Sequence, residues 1–104
     1  MNNDTINSII IAHLKNYDPE KVGVFGSYAR SEQDSDSDID ILVKFKETKS
    51  LLELVKIENE LSEKLGIKVD LVTEGAIQNM KMKEYINRDI ILLIDNGQRR
   101  LHIH

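Results

Sequence analysis

The sequence predicts an α/β (α+β) fold, a small mixed β-sheet flanked by helices, with one domain over residues 1–95 and a short C-terminal tail at 96–104. Three observations carry this. Helical and strand periodicities alternate in the order α-β-α-β-α-β-α-β, which favours helices covering a sheet. The 104 residues suffice for one small core. Turn signals at Asp18-Pro19, Gly26-Ser27, Gly66 and Asn96-Gly97 separate the segments.

Each element has a local reason. Ile6, Ile9, Ile10, His13 and Leu14 recur at helical spacing behind the candidate caps Asn3 and Asp4. Asp18-Pro19 closes that helix, because the residue before proline is pushed out of the α region. Lys21 to Phe25 reads as the first strand, Gly26 and Ser27 as its turn, and Ser27 as the cap of a short helix reaching Gln33. Asp38 to Phe45 alternates and is β-rich, so it is the second strand. Ser50-Leu51-Leu52-Glu53 has capping-box spacing, and the helix behind it offers Leu51, Leu54, Val55, Ile57, Leu61 and Leu65 as a broad apolar face that Gly66 ends. Ile67 to Thr73 is the third strand. Glu74 to Arg88 reads as a helix packing through Ile77, Met82, Tyr85 and Ile86. Ile90 to Ile94 is a fourth strand or a buried helix end, which periodicity does not separate.

Composition narrows the function classes. Apolar residues make up 40% and charged residues 31%, an ordinary globular balance, and the net charge of −4 argues against a stand-alone nucleic-acid binder. The absence of cysteine removes disulfides and thiolate metal sites and fits a reducing cytoplasm. Asn2, Asn3 and Asp4 do not begin a signal peptide, and Ile90–Ile94 is far too short to cross a bilayer, so a cytoplasmic protein without membrane contact is expected.

The chemistry is concentrated in residues 24–43. A Gly-Ser turn, Gly26-Ser27, stands ten residues ahead of Asp38-Ile39-Asp40. Alternation along a strand puts Asp38 and Asp40 on one face. Two close carboxylates repel unless a cation lies between them. Oxygen ligands with open positions suit Mg²⁺ or Mn²⁺, and two such ions would serve an in-line displacement at phosphorus. Asp70, alone among apolar neighbours on the third strand, completes a three-carboxylate cluster if its strand lies beside the second, and could then accept a proton from an attacking hydroxyl. Gly26 permits positive φ and close backbone approach, and Ser27 at a helix start places free N–H groups toward an anion. Arg30, one turn on, is a candidate for phosphate or for a carboxylate pair.

The remaining positions have plainer readings. Asp34, Asp36 and Asp38 occupy EF-hand positions 1, 3 and 5, but Ile39 and Phe45 stand where that loop needs Gly and Glu, so Asp34 and Asp36 read as solvated loop acids. Tyr28 reads as packing at the turn, with self-modification as the minor alternative, and His13 as a hydrogen-bonded residue at the core edge. His102 and His104 read as a frayed tail, Arg99 and Arg100 as a partner contact, and Met80 and Met82 as core or rim packing.

The string Val24-Phe25-Gly26-Ser27-Tyr28-Ala29-Arg30, the ten-residue interval to Asp38-Ile39-Asp40, the following Ile41-Leu42-Val43 and the later Val69-Asp70-Leu71-Val72 together resemble the minimal nucleotidyltransferase family. This is the smallest branch of the DNA polymerase β-like superfamily, and the likeness spans most of residues 1–95. It implies a polymerase β-like nucleotidyltransferase fold, metal binding by Asp38, Asp40 and Asp70, and an Mg²⁺-dependent enzyme using ATP. Many members are antitoxins that transfer AMP to a tyrosine of a partner HEPN-type ribonuclease toxin, so such a partner in a hetero-oligomeric complex is expected. One position departs: Ser31 stands where members often carry glycine, which bears on the local turn. Two other functions stay open. One is a non-catalytic antitoxin that neutralises by binding. The other is a small-molecule (antibiotic) adenylyltransferase.

Overall fold

The computed structural model describes residues 2–31, 37–77 and 79–95. The sequence readings at Gln33, Asp34, Asp36 and the tail 96–104 lie outside them. Four helices and four strands follow in the predicted order: α1 (Asn3–Leu14), β1 (Pro19–Phe25), α2 (Gly26–Ala29), β2 (Ile39–Phe45), α3 (Leu51–Leu65), β3 (Val69–Thr73), α4 (Met80–Asp89) and β4 (Ile91–Asp95). The sheet runs β3-β2-β1-β4. β1 is antiparallel to both β2 and β4, whereas β2 and β3 are parallel, so the sheet is mixed as expected.

The two faces of β2 divide the molecule. Ile39, Ile41 and Val43 join Val22, Val24 and Val69 beneath α1 and α3, which contribute Ile6, Ile10 and Leu14 from one helix and Ile57, Leu61 and Leu65 from the other. Each helical trio repeats at i, i+4, i+8, so it forms one stripe down one face. Burying each such aliphatic side chain stabilises by about 1.5–3 kcal/mol. On the opposite face Leu42 packs with Phe25 and Ile86, rimmed by Val72, Ile77 and Ile90, beneath α4.

Several local expectations shift. The cap of α1 is Asn2, whose side chain accepts from Thr5 N at 2.8 Å; Asn3 and Asp4 lie inside the first turn. Asp18 precedes Pro19 in the left-handed region at φ 52°, a conformation that Asp tolerates better than most residues. The capping box at Ser50 and Glu53 forms, and Gly66 ends α3 at φ 67°. Leu51, Leu52 and Val55 are exposed, because they lie on a side of α3 turned away from the Ile57–Leu61–Leu65 stripe. The segment read as one helix from Glu74 divides into a 3₁₀ turn at Glu74–Ala76 and α4 from Met80, with Asn79 accepting from Lys81 N as its cap. Of its named packing residues only Ile86 is buried; Ile77 is half-buried, while Met80, Met82 and Tyr85 are exposed. The last segment is an edge strand, not a helix end. His13 is buried as expected, with Nε2 3.1 Å from Glu60 Oε1, and Tyr17 donates to the same oxygen at 2.9 Å.

The described part of α2 is a single turn, not a helix to Gln33. It stops where Ser31 takes φ 60° and its N–H donates to Tyr28 O. A left-handed conformation costs an L-residue roughly 1–2 kcal/mol, and glycine returns part of that gain through its freer unfolded chain. Ser31→Gly is therefore expected to stabilise the fold by about 0.5–1 kcal/mol, raising the midpoint of a thermal melt by several degrees. A lowered midpoint would mean that the serine side chain supplies an interaction worth more than the backbone strain.

Candidate active site

Register builds the site. Phe25, the last residue of β1, lies opposite Asp40, and Asp40 in turn lies opposite Asp70. Because β2 and β3 are parallel and in register, Asp40 and Asp70 share a face. β2 begins at Ile39, one residue later than the sequence pattern suggests, so Asp38 precedes the strand, though its charge still acts on Asp40. Asp70 is held firmly on this edge strand. The N–H groups on either side of it are capped by α3: Val69 N donates to Ser62 Oγ at 3.0 Å and Leu71 N to Glu58 Oε2 at 2.8 Å. These bonds occupy donors that an edge strand would otherwise expose.

The turn after β1 comes up against these acids. Gly26 has φ 75°, and a Cβ built on it would collide with Asp40 Oδ2 and lie 3.5 Å from the Tyr85 hydroxyl. The glycine thus serves both the backbone conformation and the close approach. With α2 only one turn long, any anion at Gly26 and Ser27 would be held by individual N–H groups, with little help from a helix dipole. Gly26 is buried and Ser27 half-buried.

Burial pushes the Asp40 carboxyl above its ordinary value, and the negative charges of Asp70 and Asp38 add to the rise. Asp38 leans toward Lys68, 3.9 Å away. Accordingly no group of three acidic or histidine side chains converges tightly enough to hold a metal ion among the described residues. The donor set nevertheless fits a hard divalent cation: all ligands are oxygens, two are direct cross-strand partners, and a cation would offset the repulsion that raises Asp40.

Arg30 pairs with Asp89 at 3.1 Å, a carboxylate partner of the kind its sequence position allows. The pair ties α2 to the end of α4. Tyr28 is 3% exposed and its hydroxyl lies 3.2 Å from Asn3 O and 3.1 Å from Asn7 Oδ1, so it packs at the turn and is closed to modification. Burial, followed by the charge of Asp4, raises its pKa.

The cleft over Asp40 and Asp70, about 320 Å³, has walls that sequence reading assigned elsewhere. Met82 and Tyr85 of α4 line it, with Tyr85 meeting the Phe25 ring edge-on at a centroid distance of 6.4 Å. Glu58 lines it from α3. The i, i+3 spacing of Met82 and Tyr85 is visible in the sequence, but it signals a shared helix face and not whether that face is core or cleft.

The chain is similar to known proteins along most of its length. The nucleotidyltransferase domain family matches residues 8–93. A Methanocaldococcus jannaschii protein classed provisionally as a protein adenylyltransferase is 46% identical over 92 residues, 85% of this chain and 94% of the relative. The protein adenylyltransferase MntA of Thermococcus cleftensis is 42% identical over 80 residues, 73% of this chain and 81% of the relative. Among solved structures, one provisionally termed a minimal nucleotidyltransferase superposes with a TM-score of 0.74 at 32% identity, covering 88% of this chain and 95% of that one. A chain of a toxin–antitoxin complex with AMP-PNP superposes at 0.79 with 24% identity, covering 88% and 75%, and supports the fold alone. With Gly26 set against Asp40, and Asp40 against Asp70, on this scaffold, the chain belongs to the nucleotidyltransferase domain family and is a nucleotidyltransferase enzyme.

Proposed function

We propose that the protein transfers AMP from ATP to a tyrosine hydroxyl of a partner HEPN-type toxin, and thereby acts as its antitoxin in a hetero-oligomeric complex. The observation that carries the reading is the register that sets Asp70 beside Asp40, with the Gly26 turn against the same carboxylate. It is supported by the adenylyltransferase relatives and by the likeness, at 21% identity and a TM-score of 0.75, to a chain of a complex between a tri-AMPylated Shewanella oneidensis HEPN toxin and an MNT antitoxin.

In this reading Asp38, Asp40 and Asp70 hold Mg²⁺, with two ions expected and Mn²⁺ an acceptable substitute. Bound there, the metal neutralises charge on the phosphates and on the attacking oxygen. Backbone N–H groups of Gly26 and Ser27, with the Ser27 hydroxyl, bind the terminal phosphates. The acceptor oxygen forms a bond to the α-phosphorus while the bond to the bridging oxygen of pyrophosphate breaks. The Asp70 carboxylate takes the hydroxyl proton. Arg30 acts at one remove in this scheme, fixing α2 against α4 through Asp89. The domain comprises residues 1–95.

The test is transfer of label from ATP marked at the α-phosphate, read by the intact mass of the partner toxin. A gain of whole AMP units, lost on Asp38→Asn, is the expected result. An unmodified toxin that is still bound and neutralised by the Asp38→Asn protein would replace this reading with neutralisation by occlusion.

A further inference from the structure

We infer that a second cleft, on the far side of α4 from the carboxylates, binds a nucleoside monophosphate group. It encloses about 430 Å³, within the range of small-molecule sites. Its charge is unusual for a chain of net charge −4. Lys21 and Lys44 are direct cross-strand partners on β1 and β2, and like charges so placed destabilise a sheet. Lys83 reaches the same cleft from α4. Glu74 lines it beside Lys21, at 3.3 Å, and Glu20 approaches Lys44 at 3.4 Å, while Lys83 has no acidic partner among the described residues. Lys21 stays paired with the buried Oε2 of Glu74, whereas the Lys44–Glu20 pair is exposed and weakly held, so Lys44 and Lys83 are the cations open to a phosphate dianion.

The floor suits the rest of such a ligand. Leu42 and Ile86 are nearly fully buried and present an apolar base, and Asn87 adds an amide with both donor and acceptor for the edge of a base. Lys44 follows Asp40 by four residues on the same face of β2, about 13 Å along the strand. Met82 and Tyr85 face the carboxylate cleft, whereas Lys83 and Asn87 face this one. One helix therefore separates two sites, and a ligand in the second leaves the first open.

The shared chemistry is a nucleoside monophosphate, which can come from free nucleotide or from AMP already attached to the acceptor. The second source rests on the proposed transfer; binding itself does not. The experiment is calorimetric titration of AMP into the protein in EDTA. Saturable binding is expected, weakened at least tenfold by Lys44→Glu combined with Lys83→Glu and by the milder Lys83→Gln to a lesser degree, and unchanged by Asp40→Asn. No saturable AMP binding, or binding lost on Asp40→Asn but kept by the lysine variants, overturns the inference. Counting AMP units on the partner assigns the source. Fewer second additions with an unaltered first addition point to the acceptor-borne nucleotide, and an unchanged count with weakened titration points to free nucleotide. A partner that wild-type protein leaves unmodified removes the transfer reading, while the titration still decides the site.

Discussion

Gly26→Ala is expected to reduce AMP transfer by at least about 100-fold, because a displacement of about 1 Å at a reacting group already costs that much. The added methyl group would enter the space held by Asp40 Oδ2. Either the carboxylate or the turn must move, and both belong to the same site. The backbone adds a penalty of roughly 1–2 kcal/mol, since φ at residue 26 is 75°. Gly66→Ala isolates that second effect. Gly66 has φ 67° but open space where its Cβ would stand. It should lose comparable stability in urea unfolding and keep full transfer activity. A fully active Gly26→Ala protein would separate the turn from the chemistry.

The elements that were legible in the sequence are those defined by neighbours in the chain. The Ser50–Glu53 box, the Gly66 stop and the Gly26 turn each follow from a few adjacent residues, and each formed. Alternation along a single strand predicts Asp38 and Asp40 on one face, but the strand begins at Ile39 and only Asp40 lies within it. Asp70 could be stated only conditionally, because which strand lies beside which is a non-local pairing. The parallel register of β2 with β3, not any pattern around residue 70, sets Asp70 against Asp40.

Helix faces were harder for the same reason. Hydrophobicity marks Leu51, Val55, Met80 and Met82 as packing residues, but the sheet has only two faces, and the helices that cover them reach inward through other residues. Arg30 carried two plausible partners in sequence. Only the packing of α4 beside α2 brings Asp89 within reach. The lysine cleft was illegible for a further reason: Lys21, Lys44 and Lys83 are far apart in sequence, and each alone reads as a solvated charge.

Asp40→Asn is expected to separate stability from activity most widely. Transfer should fall by roughly 10³-fold, the scale of losing one preorganised electrostatic group from an active site. Stability in EDTA at neutral pH should rise by about 1 kcal/mol, as is common when strained active-site chemistry is relieved. The sign follows from proton binding. Burial, then the charges of Asp70 and Asp38, raise the folded-state pKa of Asp40 above that of the unfolded chain. The folded protein consequently binds this proton more tightly, and stability declines as pH rises from the ordinary carboxyl range through the raised value. Asparagine has no proton to lose, so its advantage should be absent in acid, open across that window and remain level above it. Urea unfolding at several pH values measures the gap. Mg²⁺ should narrow it at neutral pH by stabilising the wild-type protein more, since a ligand bound by the folded state alone raises stability by mass action. An asparagine variant less stable than wild type at neutral pH in EDTA would show that the ionised carboxylate already has a compensating partner, and the case for a cation at Asp40 would fall with it.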